Sequence, residues 1–247
     1  MKQRIDFMVI GAQKAGTTAL YYYLKKHPQI KMSYQKELNF FNRNSQSLLD
    51  NNYDSYHHFF DWEGTYLRGE VTPLYICSKK TIEKIHHYNA DIQLIAILRN
   101  PIERAFSHWN MRTSRKEITY SFSDCLRISV MNMAFPSRFE QMPDEDYIQR
   151  GLYAEQIENV YAYFDKSQVL FLKYEDFKKA PLPVLSQIFD FVGIDKERYA
   201  FEAKQIHKIE YQTQMSSQEK EILMNIYLPN IQKVENLLGW DCSDWKN

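Results

Sequence analysis

The fold is decided by residues 5–26, IDFMVIGAQKAGTTALYYYLKK, where an apolar run, a turn with two glycines and a longer segment follow one another. Ile5 to Ile10 is apolar and partly β-branched, which predicts a buried strand. Ala15 to Lys26 predicts a helix that ends at His27-Pro28, because the residue before a proline is disfavoured in the helical region. The turn between them therefore joins the carboxyl end of a strand to the start of a helix.

A phosphate-binding loop is indicated by this turn, whose sequence is GAQKAGTT. Its two glycines let the backbone approach an anion closely, and the start of a helix offers N–H groups and a partial positive charge. A lysine adds a full charge, and two threonine hydroxyls follow it. We expect the residues that bind the phosphate to be Gly11, Gln13, Lys14, Ala15, Gly16, Thr17 and Thr18.

The rest of the chain alternates between predicted strands and predicted helices. Strands are predicted at Leu67 to Val71, Ile92 to Leu98 and Val169 to Lys173. Helices are predicted at Pro101 to Arg112, Tyr147 to Phe164, Pro183 to Phe191 and Ser216 to Leu238, the last one broken by Pro229. This alternation implies right-handed βαβ crossovers. We expect an α/β fold, a P-loop-like three-layer domain with a central, mostly parallel sheet flanked by helices, and one domain over residues 1–247.

The composition excludes several classes of function. Lys plus Arg and Asp plus Glu number 31 each, so no excess cation is available for a nucleic-acid backbone. No apolar run approaches the roughly 20 residues of a membrane span, and no signal peptide is expected. The three cysteines are widely spaced and odd in number, which indicates buried free thiols and a reduced cytoplasm. The oligomeric state is left open.

A second turn carries a further anion ligand. Arg99 follows the predicted strand Ile92 to Leu98, and a strand-end arginine is a rigid bidentate ligand for phosphate. Asn100 is a good N-cap and Pro101 suits the first helical turn. Arg99 is therefore a second candidate phosphate ligand, and Ser107 lies two turns into the helix that follows it.

The phosphate loop does not fit an ATP-binding Walker loop. The Walker pattern G-x-x-x-x-G-K-(S/T) places lysine after the last glycine, whereas Lys14 precedes Gly16. The strand from Ile92 to Leu98 also lacks a terminal acid that could hold magnesium. A P-loop kinase using ATP and a non-catalytic nucleotide-binding domain remain the alternatives.

The two turns together resemble the PAPS-dependent sulfotransferases. In that family the loop after the first strand binds the 5′-phosphosulfate of PAPS, and an R-(N/D)-P-x-x-R-x-x-S motif binds the 3′-phosphate. Residues 99–107, RNPIERAFS, fit the motif without departure. The resemblance implies PAPS as the donor, adenosine 3′,5′-bisphosphate as the product and no metal.

The closest likeness is to the carbohydrate branch, which includes the heparan sulfate N- and 3-O-sulfotransferases. Residues 36–41, KELNFF, resemble its K-E-x-x-F-F segment, which implies Glu37 as the base. Residues 69–75, GEVTPLY, resemble its E-K-(S/T)-P-x-Y segment, with Val71 where a lysine is common. Lys208 matches the lysine of a K-G-R loop that closes over the cofactor, although the glycine and arginine are replaced.

The resemblance implies an enzyme that transfers a sulfuryl group by in-line displacement to a small-molecule or glycan acceptor. Lys14 would stabilise the leaving bisphosphate, and Glu37 would take the proton of the acceptor hydroxyl. His57 and His58 are weaker candidates for the base, because histidine has that role in other branches. Aromatic residues at Tyr53 to Trp62 and Phe135 to Tyr147 are candidates for stacking on sugar rings.

Overall fold

The computed structural model describes residues 3–43, 52–134, 146–195, 211 and 213–246. These residues fall into two compact units. The first comprises the described residues of Met1–Leu98 and Glu158–His207, and the second those of Arg99–Ile157 and Lys208–Asn247. The single domain expected over residues 1–247 stays a prediction.

The described residues form five strands and nine α-helices. In chain order these are β1 (Phe7–Gly11), α1 (Thr17–Lys25), β2 (Ile30–Met32), α2 (Asp54–His57), β3 (Leu67–Val71), α3 (Lys79–Tyr88), β4 (Gln93–Leu98), α4 (Pro101–Ser114), α5 (Phe122–Ala134), α6 (Tyr153–Tyr161), β5 (Val169–Lys173), α7 (Tyr174–Lys179), α8 (Pro181–Val192) and α9 (Ser217–Leu238).

The first unit is built on one sheet with the strand order β2-β3-β1-β4-β5. Every neighbouring pair is parallel, and Met8 of the central strand lies opposite Glu70 on one side and Leu94 on the other. All five residues of β1 and five of the six in β4 are buried, as their apolar sequences predict. The expected α/β fold with a central parallel sheet flanked by helices is confirmed.

The region predicted as one long helix from Tyr147 to Phe164 is wrong in its first part. A 3₁₀ turn over Gln149–Gly151 comes first, and α6 begins only at Tyr153. Tyr227 explains the interruption, because its hydroxyl donates to the Ile148 carbonyl at 2.9 Å and lies where a side chain at Gly151 would be. This tertiary contact satisfies a carbonyl that a continuous helix would otherwise use.

The break predicted at Pro229 is also wrong, because α9 runs through it as one helix. A proline removes one main-chain hydrogen bond, but the contacts of the next residue hold the helix at this point. The Asn230 amide accepts from the Ala154 N–H at 3.1 Å and donates to the Glu155 carboxylate at 2.6 Å. The residue after the proline is therefore fixed against the start of α6.

All three cysteines are thiols rather than disulfide partners, as the sequence predicts. Cys125 and Cys242 are buried, whereas Cys77 is half-buried. No helix in the described part of the chain combines the length and the apolar character that a bilayer crossing requires.

Gly69 of β3 is required by the ring of Phe7 on the neighbouring strand. A β-carbon added at Gly69 would lie 2.3 Å from Phe7 Cζ. We therefore expect Gly69→Ala to lower the free energy of unfolding by about 1–3 kcal/mol, measured by chemical denaturation. Adding Phe7→Leu in the same chain should recover part of the loss. Wild-type stability of Gly69→Ala would contradict this packing.

Candidate active site

Main-chain hydrogen bonds at the carboxyl edge of the sheet join the segments that follow the central strands. The Ala12 N–H, at the start of the predicted phosphate loop, donates to the Ile97 carbonyl of β4 at 2.8 Å. The Thr72 N–H, directly after β3, donates to the Val9 carbonyl of β1 at 3.0 Å. In open parallel sheets, ligands bind at this edge. The loop and the segment after β3 are thus held at the position where a ligand is expected.

The phosphate loop ends in a helix start that no side chain caps. Gly16 is the N-cap of α1, with a φ of 85°, and makes no side-chain cap hydrogen bond. The first N–H groups of a helix have no partner within the helix, so an anion can accept from them. Thr17 is buried and Thr18 half-buried in this first turn. This helix start is therefore available to an anion, and the phosphate ligands expected from the sequence stay a prediction.

Two positions in the loop have left-handed backbone conformations. At Gly16 a β-carbon would be strained by the positive φ and would lie 2.9 Å from the Tyr174 ring. Lys14 also has a positive φ, of 72°, which is uncommon for a residue with a side chain. Such conformations concentrate at functional sites, where the surrounding structure holds them in place.

Glu37 is anchored to the same edge of the sheet through its own main chain. Its N–H donates to the Val71 carbonyl, at the end of β3, at 2.9 Å. Its carboxylate pairs with the Lys36 ammonium, and the side chain is 49% exposed. The structure therefore brings Glu37 to the strand next to the one that carries the phosphate loop. The half-exposed carboxylate at this edge is accessible from solvent.

The weaker candidates for the base have different environments. His57 donates to or accepts from the Tyr88 hydroxyl at 3.1 Å, and burial lowers its pKa below the ordinary value. It packs among aromatic rings, which indicates a structural role. His58 is exposed at the end of the short helix α2.

In the second unit, Arg99 lies directly before the N-cap of α4, and Ser107 lies two turns along that helix. The Arg99 side chain is 14% exposed and forms an ion pair with Glu103 at 3.5 Å. The carbonyl of Arg99 accepts a hydrogen bond from the Tyr153 hydroxyl at 2.9 Å. Tyr153, for which the sequence predicts no role, thus fixes the main chain at Arg99. Ser107 is buried at 6% exposure.

The cap of α4 is the one that the sequence predicts. The Asn100 side chain accepts from the Ile102 N–H at 3.0 Å and the Glu103 N–H at 3.4 Å, and Pro101 is the first helical residue. The second arginine of the motif, Arg104, is fully buried and donates to the Tyr147 carbonyl. Its burial indicates a structural role rather than contact with a ligand.

A family model for the sulfotransferase domain matches residues 4–236, nearly the whole chain. The chain belongs to the sulfotransferase family. The phosphate loop, Glu37, Arg99 and Ser107 all lie within the matched region.

Known sulfotransferases of several kinds are similar to this chain. The membrane-associated sulfotransferase kil1 of Dictyostelium discoideum is 25% identical over 98% of this chain and 66% of its own length. The heparan sulfate glucosamine 3-O-sulfotransferase 3B1 of Mus musculus is 28% identical over 79% of this chain and 47% of its own. The chain thus spans between about half and two thirds of these relatives.

Among solved structures, a sulfotransferase from Alicyclobacillus acidocaldarius superposes with a TM-score of 0.81. It is 26% identical and covers 99% of this chain and 100% of its own. The similarity therefore extends over the whole sulfotransferase domain.

Lys208, which is expected to lie in a loop that closes over the cofactor, is outside the described residues. Most of the aromatic residues from Phe135 to Tyr147 are outside them too. Within the described ranges, no three His, Cys, Asp or Glu side chains come together as they would in a metal site.

An aromatic groove of about 640 Å³ opens beside the segment that leads to Glu37. Tyr34 lines it from that segment, and Trp62 lines it from the region after α2. The Tyr34 side chain is one of the most exposed large aromatic groups, at 65%. Part of the aromatic stretch from Tyr53 to Trp62 therefore does line a surface groove of this sulfotransferase.

The sequence missed the role of Glu70, which is fully buried in β3. Its carboxylate accepts from the Tyr56 hydroxyl at 2.7 Å and from the Thr72 hydroxyl at 3.0 Å. Burial raises its pKa from an ordinary 4.5 to about 7, and the hydroxyl hydrogen bonds offset part of the rise. The signal in the sequence was an acidic residue inside a short segment that is predicted as a strand.

The raised pKa of Glu70 makes the stability of the domain depend on pH. Between pH 4.5 and 7 the folded state binds more protons than the unfolded state, so the free energy of unfolding falls as the pH rises. The loss should reach about 3 kcal/mol, because each pKa unit corresponds to about 1.4 kcal/mol. In Glu70→Gln this component should be missing. Equal pH profiles in denaturant titrations of both proteins would contradict the assignment.

Proposed function

We propose that this chain transfers a sulfuryl group from PAPS to a hydroxyl, or less readily an amine, of a glycan or related acceptor. The observation that carries the proposal is the uncapped start of α1 behind Lys14, at the same sheet edge that anchors Glu37. Such a site suits transfer to a hydroxyl, because the lysine and the N–H donors can stabilise a leaving phosphate and the carboxylate can accept a proton.

The phosphate loop would hold the 5′-phosphosulfate. The N–H groups at the start of α1 and the hydroxyls of Thr17 and Thr18 would donate to its oxygens. Lys14 would stabilise the negative charge that develops on the bridging oxygen. Gly11, Gln13, Ala15 and Gly16 would contribute through the backbone.

The 3′-phosphate would be bound by Arg99 and Ser107, which distinguishes PAPS from ATP. Arg99 is held by the Tyr153 hydroxyl and by its position directly before the Asn100 cap. A guanidinium provides paired donors for a phosphate. Lys208 is kept as a proposed further ligand.

In the transfer step, the acceptor oxygen attacks sulfur opposite the bridging oxygen. The new O–S bond forms while the bond from sulfur to the bridging oxygen breaks, and adenosine 3′,5′-bisphosphate departs with the electron pair. Glu37 accepts the proton of the acceptor hydroxyl. A sulfuryl group carries less negative charge than a phosphoryl group, so Lys14 and the helix start would suffice without magnesium.

The aromatic groove supports a sugar as the acceptor. Sugar rings present apolar faces that stack on accessible aromatic side chains such as the exposed Tyr34 and the half-buried Trp62, and hydroxyl edges that face polar groups. Gln35 also lines the groove and is two residues from Glu37. The heparan sulfate acceptor in the name of the mouse relative fits the same class of compound.

A reduced, cytoplasmic location is part of the proposal. It rests on the three thiols, two of them buried. Detection of the protein in the soluble cytoplasmic fraction would support it, and recovery with membranes would contradict it.

Glu37→Gln tests the proposed base. We expect sulfuryl transfer to fall by about 10²–10⁴-fold, because the acceptor proton has no base, while binding of adenosine 3′,5′-bisphosphate stays within twofold of wild type. The measurement is transfer of labelled sulfur from PAPS to a panel of neutral and anionic oligosaccharides. The matched control is Glu83→Gln, an exposed carboxylate on α3.

Full activity of Glu37→Gln would remove Glu37 from the mechanism. If the wild type binds the bisphosphate but transfers sulfur to none of the oligosaccharides, the proposed glycan acceptor would be overturned.

A further inference from the structure

The carboxylate of Glu70 is surrounded by hydroxyl groups. Tyr56 and Thr72 donate to it, and burial together with the nearby Glu70 charge raises the pKa of the Tyr75 hydroxyl. Among the described residues, no basic side chain contributes to the shift of its pKa. A buried carboxylate without a cation is costly and needs a reason beyond packing.

The hydroxyls of Thr72 and Tyr75 also hold residues 37–41, the segment that carries Glu37. The Tyr75 oxygen accepts from the Phe40 N–H at 2.9 Å and from the Phe41 N–H at 3.5 Å. The Thr72 oxygen accepts from the Asn39 N–H at 3.5 Å. Three consecutive main-chain donors therefore end on two hydroxyls that lie beside Glu70.

This segment has a backbone conformation that needs such support. Glu37 and Asn39 both have positive φ values, of 60° and 53°, which side chains disfavour. The Asn39 side chain adds a local bond to the Glu37 carbonyl at 2.8 Å, and the Glu37 N–H reaches β3. The hydroxyls of Thr72 and Tyr75 fix the chain on the C-terminal side of Glu37.

The chemistry of a carboxylate suits this arrangement. Above pH 7, where Glu70 is ionised, its carboxylate accepts hydrogen bonds and donates none. The Thr72 hydroxyl, which donates to Glu70, therefore turns its lone pairs away from it, toward the Asn39 N–H. An amide at position 70 would instead present a donor, which would compete with that N–H group for the same oxygen atom.

We propose that Glu70 is a positioning residue that orients the Thr72 hydroxyl and so, together with the neighbouring Tyr75 hydroxyl, fixes the Glu37 segment at the sheet edge. The inference rests on the proposed role of Glu37 as the base. Glu70 itself is fully buried and does not touch the acceptor.

Tyr75→Phe and Tyr56→Phe form a matched pair that tests this proposal. Both tyrosines are fully buried and interact with Glu70 through their hydroxyls, but only the Tyr75 hydroxyl accepts from Phe40 and Phe41. Each substitution keeps the ring and removes one oxygen. The pair therefore separates loss of a Glu70 partner from loss of the contact with the segment.

The first readout is amide hydrogen exchange, which does not depend on activity. In Tyr75→Phe the Phe40 amide should exchange about five- to tenfold faster, the factor expected for one lost hydrogen bond. In Tyr56→Phe the rate at Phe40 should stay within twofold, and amides of β1 should not change in either variant.

The second readout is the kinetics of labelled-sulfur transfer from PAPS. Tyr75→Phe should lower kcat at least tenfold with KM for PAPS unchanged, and Tyr56→Phe should lower kcat less than threefold. If Tyr75→Phe does not fold, Thr72→Val replaces it, with exchange followed at Asn39. Thr72→Ser, which keeps the hydroxyl, should restore both the exchange rate and kcat.

Equal effects of the two tyrosine variants would overturn the proposal, because they would reflect packing alone. Unchanged kcat in Tyr75→Phe, with Glu37→Gln inactive, would overturn it while leaving the base in place. Full activity of Glu37→Gln would instead refute the proposed base, and the exchange rates would still decide whether these hydroxyls hold the segment.

Discussion

Parallel pairing of β3, β1 and β4 is the constraint on which the candidate site depends. Parallel strands end at the same edge, and the main-chain groups there need partners from whatever follows. The chain supplies them by returning each following segment to a neighbouring strand, as Ala12 does to β4 and Thr72 to β1. The Glu37 N–H likewise donates to the Val71 carbonyl of β3. The loop and the proposed base are thus fixed by backbone bonds that most substitutions of their side chains would preserve.

The same edge contains features that stability alone would not favour. Lys14, Glu37 and Asn39 have left-handed backbone conformations, and Glu70 keeps a carboxyl group buried with a pKa of about 7. Each of these is destabilising, so their concentration within one part of the first unit points to function. The buried network around Glu70 joins them, because its hydroxyls bond to the segment in which two of the strained residues lie.

Local patterns predicted the elements that position the site. The strands at Leu67 to Val71 and Val169 to Lys173 have the predicted bounds. The second is a short apolar run that ends in a lysine, whereas the first contains two charged residues between Leu67 and Val71. The Asn100 cap needs only the residues next to it, and the loop from Gly11 to Thr18 is a local motif. The three-residue strand β2 was missed, because so short a segment has no detectable periodicity.

Features that depend on distant partners were not predictable. Helix α6 starts late because Tyr227, over 70 residues away, binds the preceding turn, and Pro229 is tolerated because Asn230 bonds to the start of α6. The environment of Glu70 likewise requires Tyr56 and Tyr75, which no spacing rule connects with it. The family resemblance identified Glu37, whereas the hydroxyls that hold its segment became visible only in the fold.

The most direct test of the account is whether the phosphate loop binds the bisphosphate product. Adenosine 3′,5′-bisphosphate at about 100 times its Kd should stabilise the protein by about 2.7 kcal/mol in thermal unfolding, and ATP with magnesium should not. Lys14→Ala should reduce the shift, and the exposed Lys26→Ala should leave it unchanged. A shift with ATP and magnesium, and none with the bisphosphate, would contradict the assignment of this loop to a sulfuryl donor.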